Sequence, residues 1–138
     1  QKFPTKNCIL TDLPEVTNLI KFKPSNLTVL NENFFNPFSF KADAIILSRI
    51  LHDWNDNKAK IILKNCYNAL NQNGKLFVIE IIQNEISANL LSLNMMLMTE
   101  SFERTFKEYN SLLKKNNFEI KSKIKLNELQ TILISIKK

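Results

Sequence analysis

Two apolar segments separated by an amphipathic helix constrain the fold of this chain more than any other feature. The first segment, Ala44–Leu47, is an unbroken apolar run, and the second, Lys75–Ile82, is apolar after its lysine except for one glutamate. Between them, apolar residues recur every three or four positions from Asp56, a candidate N-cap, to Leu70. Unbroken apolar strands are typical of parallel sheets that are covered on both faces. The pattern therefore predicts two parallel strands joined by a crossover helix.

The rest of the chain continues the alternation of strands and helices, without a repeat or an internal domain boundary. The last two strands have only a short link, which predicts an antiparallel pair. We expect an α/β, Rossmann-like fold with a mostly parallel sheet, helices on both faces and an antiparallel C-terminal strand pair. The other expected elements are strands Cys8–Thr11 and Leu27–Leu30, a helix from Pro14 to about Ile20, a helix over Leu90–Met98, a helix that begins with a capping box of Thr105 and Glu108 and ends near Asn116, and strands Phe118–Ile124 and Leu129–Ile136.

Composition and charge exclude several classes of protein. The chain has 138 residues, 44% of them hydrophobic, which predicts one globular domain with its own core. No apolar run reaches the roughly 18 residues that a membrane span needs. The net charge is +6, but the lysines are scattered and Arg49 and Arg104 are the only arginines, so nucleic-acid binding is not expected. The chain has two cysteines, Cys8 and Cys66, which fit a reducing, cytoplasmic setting better than a disulfide framework. With one histidine and no metal-ligand spacing, a zinc site is not expected.

The single histidine, His52, is the first candidate for a catalytic residue. It lies just after the apolar strand that ends at Ser48, and open α/β sheets bind ligands at the carboxyl ends of their strands. Its unperturbed pKa suits proton transfer near neutral pH. Taken alone, these facts favour a hydrogen-bonded structural histidine over a base, and the rest of the sequence has to decide.

The chain contains one glycine, Gly74, in a predicted Asn73-Gly74 turn. An α/β domain that binds a nucleotide-like cofactor normally has a glycine-rich turn after its first strand. Two readings therefore stay open: the domain binds no such ligand, or the turn lies upstream of Gln1.

An ordered series of short motifs resembles one family from about Cys8 to the C-terminus. The series is similar to the C-terminal catalytic domain of the S-adenosylmethionine-dependent O-methyltransferases, which include plant caffeic acid and flavonoid enzymes, acetylserotonin enzymes and bacterial polyketide enzymes. Each motif alone is weak, but the set in this order is specific. The motifs are Asp12-Leu13-Pro14-Glu15-Val16, Asn33-Phe34-Phe35, Ala42-Asp43-Ala44, Ser48-Arg49-Ile50-Leu51-His52-Asp53-Trp54, Asn65–Leu70 with Asn73-Gly74-Lys75, and Glu103-Arg104-Thr105.

The resemblance implies a binding site for S-adenosyl-L-methionine. Asp12 matches the acidic residue that holds the ribose hydroxyls, although it is also a candidate N-cap of the helix at Pro14. Asn33, in place of the usual aspartate, and Phe34 match the pair at the adenine. The side-chain carbonyl of Asn33 can still accept the adenine amino group, and Phe34 can stack on the ring, with a core position for Phe34 and Phe35 as the alternative. Ser48 matches a further position that contacts the cofactor.

The resemblance also implies a catalytic group around His52, which becomes the general base. Glu80 and Glu103 match carboxylates that flank the histidine, and Asp53 matches a residue beside it. The alternatives are that Glu80 lies at an exposed strand edge and that Glu103 interacts with a helix dipole. Met95 matches the helix that lines the acceptor pocket, where a methionine is also a common core residue.

The match also departs from the family. Glu100-Ser101-Phe102 replaces the usual glycine pair before Glu103, and Ser92 replaces an acidic residue. The resemblance implies that residues 1–138 are a partial catalytic domain, in which we expect the first strand, the glycine-rich loop and the N-terminal dimerisation domain to be missing. We expect a homo- or hetero-oligomer that supplies missing segments, weak cofactor binding by the chain alone, and a small-molecule hydroxyl acceptor. The alternative is a non-catalytic subunit or scaffold that pairs with another chain.

Overall fold

The computed structural model of the protein describes residues 6–82 and 103–138. The described part alternates strands and helices, as the sequence predicts. Its elements are β1 (Cys8–Asp12), α1 (Pro14–Thr17), β2 (Leu27–Asn31), β3 (Ala42–Ser48), a 3-10 helix (Leu51–Asp53), α2 (Asp56–Ala69), β4 (Leu70–Ile81), α3 (Phe106–Lys115), β5 (Phe118–Lys125) and β6 (Gln130–Lys137).

The strands form a parallel part and an antiparallel part, which confirms the α/β fold. In the described residues they lie in two sheets rather than in the single sheet expected: a parallel pair, β1-β2, and a four-stranded sheet in the order β3-β4-β6-β5. β3 and β4 are parallel, with Ile45 beside Leu76 and Ser48 beside Ile79. β6 is antiparallel to β5, as expected, and also to β4. The carboxyl ends of β3 and β4 therefore meet at the same edge of the sheet.

β3 is buried on only one face, which corrects the expectation of a strand covered on both. Ile45 and Leu47 are buried, whereas Ile46 between them is 63% exposed. The physical reason is that β3 ends the order of the four-stranded sheet, and no described element covers the outer side of Ile46. An unbroken apolar run alone does not distinguish an edge strand from a central one.

The two longer helices pack on the sheet and form the core with it. α2 begins at Asp56, but its N-cap is Asn55, whose side chain accepts a hydrogen bond from Lys58 N at 3.1 Å; the expected N-cap, Asp56, is the first residue of the helix. The capping box of α3 is present, as predicted from its threonine and glutamate. α1 ends at Thr17, three residues before the expected end. The fully buried core side chains include Leu51, Ala59, Ile62, Leu63, Cys66, Leu76, Val78, Tyr109, Leu113 and Leu133.

The predicted Asn73-Gly74 turn lies inside β4 and takes a different form. Asn73 adopts the left-handed backbone conformation, with φ of 62°, whereas Gly74 has no positive φ. The register between β3 and β4 shifts in this region, from Ala42 opposite Leu70 to Ala44 opposite Lys75. The reason for a glycine at position 74 is steric rather than conformational, because a Cβ there would lie 2.9 Å from the carbonyl oxygen of Asn71.

The expected helix over Leu90–Met98, with Met95 and Ser92, lies outside the described residues, and so do residues 100–102. Among the helices that the structure does describe, none is both long and apolar enough to cross a membrane.

Candidate functional site

A sharp change of backbone direction after β3 places His52 at the edge of the sheet. Arg49 follows the last residue of β3 and has a φ of 54°, in the left-handed region that few residues other than glycine and asparagine adopt. Its N–H still donates to Ile79 O in β4 at 2.9 Å, so the turn begins within the sheet. The 3-10 helix Leu51–Asp53 then carries the His52 ring back toward the end of β4. His52 is 7% exposed.

The Glu80 carboxylate accepts hydrogen bonds from the backbone of this turn. Its side chain is fully buried at the end of β4. One oxygen, Oε1, accepts the N–H groups of Ile50 and Leu51 at 3.1 and 2.9 Å. The other oxygen, Oε2, lies 3.0 Å from His52 Nδ1 and 3.2 Å from Arg49 Nη1. The reading of Glu80 as an exposed strand edge is therefore wrong, because four donors surround a carboxylate that has no contact with water.

The two ring nitrogens of His52 face two different carboxylates. Nδ1 is paired with Glu80, and Nε2 lies 2.7 Å from Asp53 Oδ1. A neutral imidazole donates from only one nitrogen, so both contacts are hydrogen bonds only when the ring is protonated. Asp53 is 43% exposed at its side chain, whereas Glu80 is fully buried. Glu80 thus holds the ring in place, and Asp53 is the partner that can move into solvent.

The pKa of His52 is raised above its ordinary value of 6.5 by the balance of several influences. Burial alone would lower the pKa, because it disfavours the charged ring. The hydrogen bond and the charge of Glu80 raise it by more, Arg49 lowers it, and Asp53 raises it. The site therefore favours the ring in its protonated form, which is the state that a base reaches after it has accepted a proton.

Glu103 reaches the site from the segment before α3, but its partner is Arg49 rather than His52. Its Oε1 accepts from Arg49 Nη2 at 3.0 Å, and its Oε2 is buried without a hydrogen-bond partner among the described residues. Polar atoms of Glu103, Glu80 and His52 lie within 4.8 Å of one another. The three predicted residues are thus brought together, and the dipole role of Glu103 is not needed to explain its position. Because the Arg49 guanidinium already lies between the two carboxylates, we assign no metal to this group.

Arg104 fixes the other end of the His52 turn and is 1% exposed. It donates to the carbonyl oxygens of Leu51 and Trp54, both at 2.7 Å, and to Asp56 Oδ1 at 2.8 Å. The carbonyls of Leu51 and Trp54 belong to the first residue of the 3-10 helix and to the residue that follows it. Arg104 thus binds carbonyl groups of the turn, whereas Glu80 binds its N–H groups.

Sequence reasoning missed the roles of Arg49 and Arg104, although a signal was present. All other basic residues of the chain are lysines, and both arginines lie in this group. A guanidinium has five donors in a planar fork and is less strongly hydrated than an ammonium group, so it suits buried sites with several acceptors. The scarcity of arginine in a lysine-rich chain was the feature that could have identified both residues.

The residues expected at the cofactor lie at the ends of the first three strands. Asp12 ends β1, is partly exposed, and uses one carboxylate oxygen to accept from Leu13 N at 2.8 Å. It is not the N-cap of α1, because that position is Leu13. Ser48 ends β3 and is exposed. Among the described residues, no hydrogen bond joins Asp12 or Ser48 to the His52 group.

Asn33 and Phe34 lie in the loop after β2, which contacts the segment beyond His52. The side-chain oxygen of Asn33 accepts from Phe35 N at 2.9 Å, so this oxygen is already engaged. The Phe34 ring packs edge-to-face against Phe35 and Trp54, with centroid distances of 4.9 and 6.1 Å. The backbone oxygen of Phe34 also accepts from Asn65 Nδ2 in α2 at 3.0 Å. Phe34 is thus partly a core residue, and the loop is fixed relative to the His52 turn.

Comparison with known proteins shows the family of the chain. The family model described as the O-methyltransferase domain matches residues 1–119. The chain belongs to the O-methyltransferase family.

Individual relatives support the same assignment. The chain is 35% identical over 119 residues to acetylserotonin O-methyltransferase of Gallus gallus, covering 78% of this chain and 34% of that protein. It is 32% identical over 138 residues to scoulerine-9-O-methyltransferase 3 of Papaver somniferum, covering 95% of this chain and 38% of that protein. The chain therefore spans little more than a third of the length of these relatives.

A solved structure shows the same fold. The human N-acetylserotonin methyltransferase, solved in complex with S-adenosylmethionine, superposes with a TM-score of 0.87 at 29% identity, over 99% of this chain and 42% of that one. The superposition covers nearly the whole chain.

Proposed function

We propose that the polypeptide containing these residues transfers a methyl group from S-adenosyl-L-methionine to a hydroxyl group of a small aromatic or polyketide-like molecule, with His52 as the general base. The observation that carries this proposal is the Glu80–His52 contact at 3.0 Å, in which a buried carboxylate orients the only imidazole of the chain at the end of a parallel strand. Membership of the O-methyltransferase family gives the reaction class.

In this proposal, His52 removes the proton that makes the acceptor hydroxyl a poor nucleophile. A phenol with a pKa of about 10 is a poor nucleophile until it loses its proton. A base within hydrogen-bond reach contributes about 10²–10⁴-fold to such a step. With Nδ1 engaged by Glu80, Nε2 is the nitrogen that accepts the proton from the acceptor hydroxyl. The charge of Glu80 then stabilises the imidazolium that forms.

Asp53 occupies the position that the acceptor hydroxyl needs. Its carboxylate lies 2.7 Å from Nε2, so it has to move away before a hydroxyl can bind there. Its partial exposure allows this movement, because water replaces the lost contact. We assign Asp53 to the resting state, in which it pairs with a protonated ring, and the assignment predicts that displacement of Asp53 by the acceptor lowers the pKa of His52.

Residues at the strand ends fit the cofactor's polar groups. The Asp12 carboxylate has one oxygen beyond its bond to Leu13 N and is partly exposed, so it can accept ribose hydroxyls. Phe34 offers an aromatic surface for the adenine, Asn33 can donate from its amide nitrogen, and Ser48 lies exposed at the end of β3. When bound, S-adenosylmethionine supplies a sulfonium methyl that is already a strong electrophile. Alignment of the hydroxyl with it is the task of the surrounding chain. We keep Met95 as a proposed acceptor contact.

The exposed apolar residues of the N-terminal part support a partial catalytic domain completed by further polypeptide. Large apolar side chains exposed within one short segment are typical of an interaction site. We propose that residues 1–138 act within a homo- or hetero-oligomer or within a longer chain, in the cytoplasm, where both free cysteines remain reduced. The exposed side chains are Ile9, Leu10, Leu13, Val16, Leu19 and Phe22.

The test is methyl transfer from labelled S-adenosylmethionine to a panel of phenols, using the 138-residue chain and the longest polypeptide that the gene encodes around it. We expect product from the longer polypeptide and little from the chain alone. Glu80→Gln should lose most of the activity, whereas Glu119→Gln, the matched change at an exposed carboxylate, should keep it. A folded longer polypeptide that binds the cofactor but methylates no hydroxyl would favour the non-catalytic scaffold.

A further inference from the structure

Arg49 connects the two buried carboxylates of the site to the histidine. Its Nη1 lies 3.2 Å from Glu80 Oε2, and its Nη2 lies 3.0 Å from Glu103 Oε1. The Glu80 oxygen that Arg49 contacts is the same atom that lies 3.0 Å from His52 Nδ1. The guanidinium is therefore within about 6 Å of the ring, through one shared oxygen.

The positive charge of Arg49 offsets the two negative charges near the His52 ring. The Glu80 and Glu103 side chains are 0% and 2% exposed, so their charges are not screened by water. Without Arg49, the His52 ring would still lie within 4.8 Å of both carboxylates, and their charges would favour its protonated form more strongly. In the part of the chain that the structure describes, the other ionisable groups that act on this cluster include Asp53, Arg104 and Tyr109.

The backbone gives a second, independent indication that the Arg49 side chain matters. Among the described residues, three that are not glycine have a positive φ: Arg49, Asn73 and Asn117. Asparagine is enriched in this conformation, whereas arginine is not. A glycine would adopt it without steric strain. The site therefore holds an arginine where the backbone alone would favour glycine or asparagine.

We propose that Arg49 is a positioning residue that bridges Glu80 and Glu103, fixes the oxygen that orients His52, and offsets the attraction of the two carboxylates for the proton of the ring. The bridging is independent of the reaction. One part rests on the proposed function: a neutral ring is useful only if His52 is a general base, because a base must be unprotonated before it can act.

The single histidine makes the test direct, because the imidazole signals in an NMR spectrum of the whole chain belong to His52. We would titrate these signals in the wild type and in Arg49→Met, which removes the guanidinium. Arg49→Gly removes it while relieving the backbone, so it remains informative if Arg49→Met folds poorly. The control is Lys121→Met, which removes one positive charge from an exposed pair with Glu119.

We expect both Arg49 variants to titrate at higher pH than the wild type. At neutral pH the ratio of charged to neutral ring should rise at least about threefold, the effect of one unit charge at about 6 Å with full water screening. A second change, Glu103→Gln in the Arg49→Met chain, should move the midpoint back toward the wild type. Lys121→Met should leave it in place.

An unchanged or lower midpoint in Arg49→Gly would overturn the proposal, as would a double variant that shows no return. These outcomes are separate from the proposed function. A chain with the expected titrations but without methyl transfer in the longer polypeptide would refute the reaction alone. Methyl transfer with unaltered titrations would refute the role of Arg49 alone.

Discussion

Replacing Glu80 with glutamine is expected to destabilise the fold by about 2–4 kcal/mol near pH 6. The glutamine oxygen can still accept the N–H groups of Ile50 and Leu51, which lie 3.1 and 2.9 Å from Oε1. The lost contacts are those of Oε2 with Arg49 and His52, at 3.2 and 3.0 Å. Hydrogen bonds to charged groups contribute about 1.5–3 kcal/mol each, and removing one partner of a buried ion pair costs about 3–5 kcal/mol. The lower range allows for the partial exposure of Arg49.

The same substitution changes how stability depends on pH. Because the pKa of folded His52 is raised above 6.5, its contribution to stability is fully present below pH 6.5. That contribution is lost as the pH rises through the folded pKa. Glutamine removes the negative charge that raises the pKa, so the variant should show a smaller loss over this range. The difference in unfolding free energy between wild type and variant should therefore narrow above pH 6.5.

Urea unfolding followed by circular dichroism at several pH values measures both effects. Glu119→Gln is the matched control, because it changes an exposed carboxylate and should leave the unfolding free energy nearly unchanged. A loss below about 1 kcal/mol for Glu80→Gln, or a difference that stays constant with pH, would refute the reasoning that Glu80 is a buried charge paired with the histidine.

Three further predictions concern the surroundings of the site. Arg104→Met should lower the unfolding free energy by about 2–4 kcal/mol in urea, because it removes the two guanidinium hydrogen bonds to the carbonyl oxygens of Leu51 and Trp54; a loss below about 1 kcal/mol would contradict this. Burial raises the pKa of the Cys66 thiol to about 12, so a thiol reagent at pH 8 should modify Cys8 alone in the native chain and both cysteines in denaturant; rapid native modification of Cys66 would contradict its burial. Gly74→Ala should destabilise by about 1–3 kcal/mol, because its Cβ meets a backbone oxygen at 2.9 Å, whereas Asn73→Gly should be neutral or stabilising; the reverse order in thermal unfolding would show that space does not limit this position.

The order of strands and helices could be predicted from the sequence because it depends on local patterns. The apolar period of α2 and the capping box of α3 depend on residues that are close together in the sequence, and the structure contains both. The exposure of Ile46 could not be predicted, because it depends on which strand lies at the edge of the sheet. The choice of Asn55 over Asp56 as N-cap depends on a difference of one residue, which local propensity does not resolve.

The candidate site was found in part. His52, Glu80 and Glu103 were identified through the resemblance, and the structure places them together. Their connections depend on side chains that meet across the fold. Glu103 contacts Arg49 rather than the histidine, and the backbone of Arg49 is in the left-handed region. Nothing in a linear pattern indicates that conformation for an arginine.

The central claim, that His52 removes the proton of the acceptor hydroxyl, is tested most directly by comparing two acceptors in the longer polypeptide. One acceptor keeps its phenolic proton at the assay pH, and the other, with electron-withdrawing groups, is already ionised. The account predicts that His52→Ala lowers kcat/KM about 10²–10⁴-fold for the first acceptor and much less for the second. Equal losses for both acceptors, or full activity of a folded His52→Ala variant toward the first, would contradict it.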